Sequence, residues 1–269
     1  MTHFLVPTDF SPVSHHALTA AVQLAQPLAG RITLLHAVEL PPTPDLRPNV
    51  FVMKLLQAAK HQLQLLLREA SQHVSQATIQ ELLQVMPHRT AILAALAQQP
   101  DMLVVGSAPT EPLSHTIQWL LRTAPCPVLV VRHPISGSLV RTVVFPTGFS
   151  VRALRAGAVL RRLQAFFPAA ACYLLHVGAA EQSAETLAAS LAQLAQQVGL
   201  ANCQLAVVVA ANRRLGIAQF AQRVQADMVV LHVGAAGWLW PISEDTENAR
   251  LPPVLTFRLA EDDKATAGV

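Results

Sequence analysis

Apolar and polar positions along this chain alternate between two periods. Short apolar runs read as buried strands, and longer stretches with apolar residues every third or fourth position read as helices lying on a sheet. In the first half, residues 4–7 form a strand. Residues 12–28 form a helix with Ala17, Leu18, Ala21, Val22, Ala25 and Leu28 inward and Gly30 closing it. A second strand covers residues 31–38, RITLLHAV, and the proline-rich residues 41–48 read as an irregular connector. Residues 50–76 make a long amphipathic helix with Leu55, Leu56, Ala59, Leu63, Leu66, Leu67 and Ala70 inward. A strand at 78–85, a helix at 90–98, the strand DMLVVG at 101–106, a helix at 113–122 and the strand PVLVVR at 127–132 complete the series. Regular alternation of this kind predicts an α/β fold with a five-stranded, doubly wound parallel sheet.

After a linker at 133–138 the order is repeated. Strands are expected at 142–146, 172–177, 204–210, 227–232 and 253–258, helices at 151–167, 180–198 and 214–224, and a frayed tail at 259–269. The repeat is visible in the residues themselves. FLVPTDFS at 4–11 returns as VVFPTGFS at 143–150, and LLHA around His36 returns as LLHV around His176. DMLVVG is answered by DMVVLH, and PVLVVR by PVLTFR. Two tandem domains follow, residues 1–135 and 139–260. In the opening repeat Asp9 is replaced by Gly148. Ser11 reads as a helix N-cap before Pro12. A carboxylate at the C-terminal end of a parallel strand faces the crevice where open α/β sheets take ligands.

Composition changes this picture little. The chain has 269 residues, 52% hydrophobic and 13% charged, which supplies a core and excludes disorder. A mean hydropathy of +0.38 raises the question of a membrane. No apolar run approaches the ~18 residues a span needs, so no membrane partner is expected. The start, MTHFLVPTDF, lacks a basic region and reads as a core strand, so the expected location is cytoplasmic. Cys126, Cys172 and Cys203 form no C-x-x-C and are too scattered for a disulfide framework, and they read as buried thiols of a reducing compartment. The net charge is only +3. Arg152, Arg155, Arg161 and Arg162 on one helix read as a solvated face rather than a nucleic-acid surface, because no aromatic residues interleave them.

The stretches LVPTDFS, LLHAVE, DMLVVGS and RTAPCPVLVVR, followed by FPTGFS, LLHV, ADMVVLHVG and LPPVLTFR, resemble the universal stress protein family in its tandem two-domain form. The resemblance implies a Rossmann-like, adenine-nucleotide α-hydrolase-like fold. In many members that fold binds ATP or a related nucleotide at the strand ends. The family's site uses an Asp after strand one, a backbone contact on strand two, and a loop after strand four with Gly, two residues, Gly, nine residues, Gly, then Ser or Thr. Such glycines let N–H groups close around phosphates. Carried over, the site comprises Pro7, Thr8, Asp9, Val38, Gly106 and Ser107, with Ser114 and Thr116 in the phosphate region.

The first half then departs from the pattern. Pro109 stands at the second glycine, Ser114-His115 at the final Gly-Ser, the loop between is short, and Glu111 would repel phosphate. In the second half Gly148 has replaced the Asp. Gly234 and Gly237 keep only the first spacing, Trp240-Pro241 occupies the final Gly-Ser place, and Glu244, Asp245 and Glu247 add negative charge. Trp238 and Trp240 read as a plug over the old cleft, with exposure to a partner as the other reading. His36 and His176 read as structural, and the adjacent His15 and His16 diverge on their helix. No Ser-His-Asp order, Walker loop or metal spacing is present, so no catalytic residue and no metal ligand is assigned.

Two functional readings stay open. One is a non-catalytic stress-response module with decayed nucleotide sites, acting through unidentified protein partners. The other is an ATP- or AMP-binding regulator with a single weak site around Asp9 and at most slow hydrolysis. A metabolic enzyme would rest on fold analogy alone. The apolar edge strands 128–131 and 254–257 are expected to pair, giving an intramolecular pseudo-dimer, with a homodimer also open.

Overall fold

Parallel strands wound in both directions from β1 organise the first unit. The computed structural model describes residues 1–40, 50–72, 74–109, 111–133, 140–167, 169–179, 183–200, 203–210, 213–232 and 252–259. Its elements are β1 His3–Pro7, α1 Pro12–Ala25, a 3₁₀ turn Gln26–Leu28, β2 Arg31–Ala37, α2 Val50–Ser71, β3 Thr78–Gln84, α3 His88–Leu96, β4 Met102–Gly106, α4 His115–Thr123 and β5 Val128–Val131. They lie in the order β3-β2-β1-β4-β5. All pairs are parallel, with Pro7 opposite Leu35, Leu5 opposite Leu103 and Gly106 opposite Val131. The winding reverses between β1 and β4, so their C-terminal ends flank the crevice of this fold.

The second unit is a separate compact body with the same plan. It contains β6 Thr142–Thr147, α5 Val151–Gln164, β7 Ala171–Gly178, α6 Ala184–Val198, β8 Cys203–Val209, α7 Arg213–Arg223, β9 Met228–His232 and β10 Val254–Phe257. Here the order is β8-β7-β6-β9-β10, again parallel.

Burial follows the sequence periods. Phe4, Leu5, Val6, Ile32, Leu34, Leu35 and Leu103 are fully enclosed in the first sheet. On α1 the stripe Ala17, Leu18, Ala21, Val22 and Ala25 is buried as expected. On α2 only Ala59, Leu63, Leu66 and Ala70 are fully buried, while Leu55, Leu56 and Leu67 lie at the margin. The repeated Asp of the two DM motifs has a structural role in both units. Asp101 Oδ2 accepts the His3 N–H at 2.8 Å, and Asp227 Oδ2 accepts the Arg141 and Thr142 N–H groups at 2.8 and 2.9 Å. Each carboxylate thus fixes the start of the central strand beside it.

Several boundaries differ from the sequence expectation. The first helix tightens into the 3₁₀ turn at Gln26, where Pro27 follows. Ala29 at φ 46°, not Gly30, takes the left-handed position. Gly30 is small because a Cβ there would meet Thr2 O, Ala25 Cβ and the Phe4 ring at 3.1–3.2 Å. The helix after the connector ends at Ser71 rather than 76, and the next begins at His88 rather than 90. The proline-rich connector 41–48 and most of the linker and tail lie outside the described residues.

Gly106 marks the tightest approach in the first unit. A Cβ on it would stand 2.0 Å from the Val13 carbonyl oxygen and 2.9 Å from the Ser14 nitrogen, so α1 begins directly against the end of β4. Gly106→Ala should therefore destabilise the chain by about 1–3 kcal/mol, as overpacking does. A Cβ on Gly148 would meet nothing within 4 Å, and Gly148→Ala should stay within ~0.5 kcal/mol of the parent. Urea midpoints of the two variants measure the contrast.

Candidate functional site

The turn after β1 is closed on itself. Pro7 ends the strand, and the Thr8 N–H donates to Leu35 O at 2.8 Å. The buried Thr8 hydroxyl accepts the Phe10 N–H at 3.1 Å and meets the Ser14 hydroxyl at 3.0 Å. Phe10 holds φ 65°, an uncommon conformation for a non-glycine residue. Asp9 Oδ1 accepts the Ser11 N–H at 3.0 Å, which makes an Asx turn. Ser11 then caps α1 as expected: its Oγ accepts the Ser14 N–H at 3.3 Å, while its carbonyl accepts the Ser14 hydroxyl at 2.9 Å. Partial burial pushes the Asp9 carboxyl upward. The hydrogen bonds from Ser11, Ser14 and its own backbone outweigh it and hold the group below its ordinary value.

His36 locks this turn from β2. Its Nδ1 lies 2.8 Å from Thr8 O, and a carbonyl only accepts, so Nδ1 carries the proton. The ring packs on Phe10 with centroids 4.2 Å apart. The second unit repeats the device: His176 Nδ1 lies 3.0 Å from Thr147 O, and its ring stacks on Phe149 at 4.1 Å. Ser150 caps α5 through the Ala153 N–H at 3.3 Å. Burial lowers the His176 pKa and Arg213 adds to this, against the opposing bond to Thr147. Both histidines are thus structural, and Asp9 against Gly148 is the chemical difference between the two turns.

The other carried-over residues lie around the same strand ends. Ser107 is buried and its N–H donates to Val131 O at 2.9 Å; the Val38 N–H donates to Gln84 O at 2.8 Å. Thr8 and Asp9 follow β1, and Gly106 and Ser107 end the neighbouring β4, so the topology sets these four beside one crevice. Ser114 caps α4, its Oγ accepting the Ile117 N–H at 3.3 Å. Thr116, two residues on, faces His88: its hydroxyl lies 3.3 Å from His88 Nε2, and His88 Nδ1 is 3.7 Å from Glu39. The His88 and Glu39 side chains are 55% and 61% exposed, so this hydroxyl–imidazole–carboxylate chain is a solvated surface cluster rather than a desolvated relay.

Two features of the site were not foreseen. Arg132, the charged end of PVLVVR, is buried and donates from its guanidinium to Pro109 O at 2.7 Å. Burial lowers the Arg132 pKa. The sequence signal was a cation directly after an apolar strand. The Glu39–His88–Thr116 cluster joins the ends of three elements and has no local signal. Gly234, Gly237, Trp238, Trp240, Pro241, Glu244, Asp245 and Glu247 lie outside the described residues. Among the described residues no helix is long and apolar enough to cross a membrane, and no group of three or more His, Cys, Asp or Glu is placed to hold a metal ion.

A family model for the universal stress protein family matches residues 1–132. Those residues belong to the universal stress protein family. Membership marks the chain as a stress-response protein. The likeness in fold extends beyond the matched residues. A universal stress protein structure from Archaeoglobus fulgidus superposes with a TM-score of 0.72 at 17% identity, covering 95% of this chain and 98% of that one. A putative universal stress protein from Pseudomonas aeruginosa gives 0.58 at 17% identity, covering 99% and 98%. At these identities the likeness shows the fold alone. No match was found among curated proteins.

The depressed Asp9 pKa has a definite sign. Its contribution to stability is present above the ordinary carboxylate value and is lost as pH falls through the lower folded-state value. Asp9→Asn keeps an acceptor for the Ser11 N–H but removes the titration. The variant's urea midpoint should therefore fall less steeply than the parent's below pH ~4. Ser11→Ala, which removes the helix cap, should cost about 1 kcal/mol at neutral pH.

Proposed function

We propose that the chain is a cytoplasmic, non-catalytic stress-response module whose nucleotide sites have decayed and which acts through protein contacts. The observation that carries this reading is the bond from Arg132 to Pro109 O at 2.7 Å. A phosphate loop works by turning N–H groups toward the anion. Here Pro109 has no N–H, its carbonyl is tied to a buried guanidinium, and the Ser107 N–H is bonded to Val131 O. On the base side the Val38 N–H is bonded to Gln84 O, and one Asp9 oxygen is held by its own turn. In the second unit Gly148 offers no side chain at all.

Support for protein contacts comes from the start of α2, where Val50 is 72% and Phe51 63% exposed, with Met53 beside them. Apolar residues gathered in this way fit a protein surface better than they fit water. The second reading keeps one argument. Asp9 remains ionised and exposed at the strand end, where an adenosine-sized ligand would reach it.

Calorimetric titration of ATP and of AMP into the full chain decides between them, together with a search for nucleotide released on denaturing the purified protein. No co-purified nucleotide and no heat at micromolar ligand are the expected results. Micromolar binding abolished by Asp9→Ala would replace the proposal with the nucleotide-regulated reading.

A further inference from the structure

The second unit sets two cysteines side by side. Cys172 and Cys203 are direct partners in the parallel register of β7 and β8. Register partners project to the same face, and neighbouring strands run about 4.8 Å apart, within the ~4.4–6.8 Å Cα separation of a disulfide. The two thiols lie close enough to shift each other's acidity. Gln164, the last residue of α5, covers the pair, its Nε2 donating to Cys203 Sγ at 3.4 Å, and the Cys172 thiol donates to Ala170 O at 3.7 Å. Cys172 is buried. Cys203 is partly exposed on β8, the outermost strand of its unit's sheet.

We propose that Cys172 and Cys203 form a redox site that closes reversibly to a disulfide when the protein meets hydrogen peroxide. The pair divides the two roles the chemistry needs. The neighbouring Cys203 side chain lowers the Cys172 pKa against the opposing effect of burial, while Cys172 and burial raise Cys203. The Cys172 thiolate attacks one peroxide oxygen, the O–O bond breaks, and hydroxide leaves, so that Cys172 becomes a sulfenic acid. Cys203 sulfur then attacks the Cys172 sulfur. The S–O bond breaks, the departing oxygen takes the Cys203 proton, and water leaves as the disulfide forms. Two electrons pass from the thiols to peroxide in all. Cys203, partly exposed on the outer strand, is the solvent-facing member of the pair. The bond ties this outer strand, with its exposed Leu205 and Val209, to β7. Cys126 serves as an internal control, because burial pushes its thiol up to about 12.

The test treats the full chain with hydrogen peroxide at neutral pH, blocks the remaining thiols under denaturing conditions, and maps peptides without reduction. Cys172 and Cys203 share one tryptic peptide, so cleavage at Glu181 and Glu185 is used to separate them. The expected product is a Cys172–Cys203 linked peptide with Cys126 still blocked as a free thiol, restored to three free thiols by dithiothreitol. In Cys203→Ser no link can form, and Cys172 should instead be labelled by dimedone as a sulfenic acid. Three free thiols after treatment, separate over-oxidation of the two residues, or links through Cys126 or between chains would each overturn the proposal.

Discussion

A single backbone carbonyl holds the turn on which both units are built. In an open parallel sheet the chain leaving the central strand must bend within a few residues to start its helix, and the bend leaves polar backbone groups at the edge of the core. Here the Thr8 carbonyl is taken by His36 and the Thr147 carbonyl by His176, each imidazole also resting on a phenylalanine of the same turn. The helix then starts from a serine cap in both units. In the first unit the helix begins so close to β4 that only glycine fits at position 106. The crevice geometry follows from these contacts.

Within that frame the first unit has closed its strand ends with its own groups. Asp9 bonds forward to Ser11, Ser107 to Val131, Val38 to Gln84, and the carbonyl of Pro109 to Arg132. Pro109, with no N–H, offers a phosphate no backbone donor. Asp9 serves here as a turn-forming carboxylate. The Gly148 turn keeps the same histidine, phenylalanine and serine, so it does not need the carboxylate to fold.

Much of the fold was legible because strand and helix periods are strong in this chain. The apolar runs around Leu5, Leu34 and Val104 could be buried only as parallel strands, and the stripe on α1 came out as expected. Helix ends were read less well. Gly30 suggested a left-handed cap, but Ala29 takes that conformation and Gly30 answers a packing demand. The repeated Asp of the DM motifs was visible as a repeat. Its bond to the neighbouring strand was not, since the partners are far apart in sequence. The candidate positions could be named from the sequence, but not the bonding of their donors, because that depends on which carbonyl each N–H finds. Cys172 and Cys203 looked scattered for the same reason, because only the register of β7 and β8 makes them neighbours.

The central claim is that the backbone donors at the first unit's strand ends are already bonded within the protein. An amide-resolved NMR titration with AMP and ATP tests it most directly, following Asp9, Ser11, Val38, Ser107 and the side-chain N–H groups of Arg132. These signals should stay in place at millimolar nucleotide, with the Ser107 and Val38 amides protected from exchange. Saturable shifts centred on Asp9 and Ser107 would contradict it.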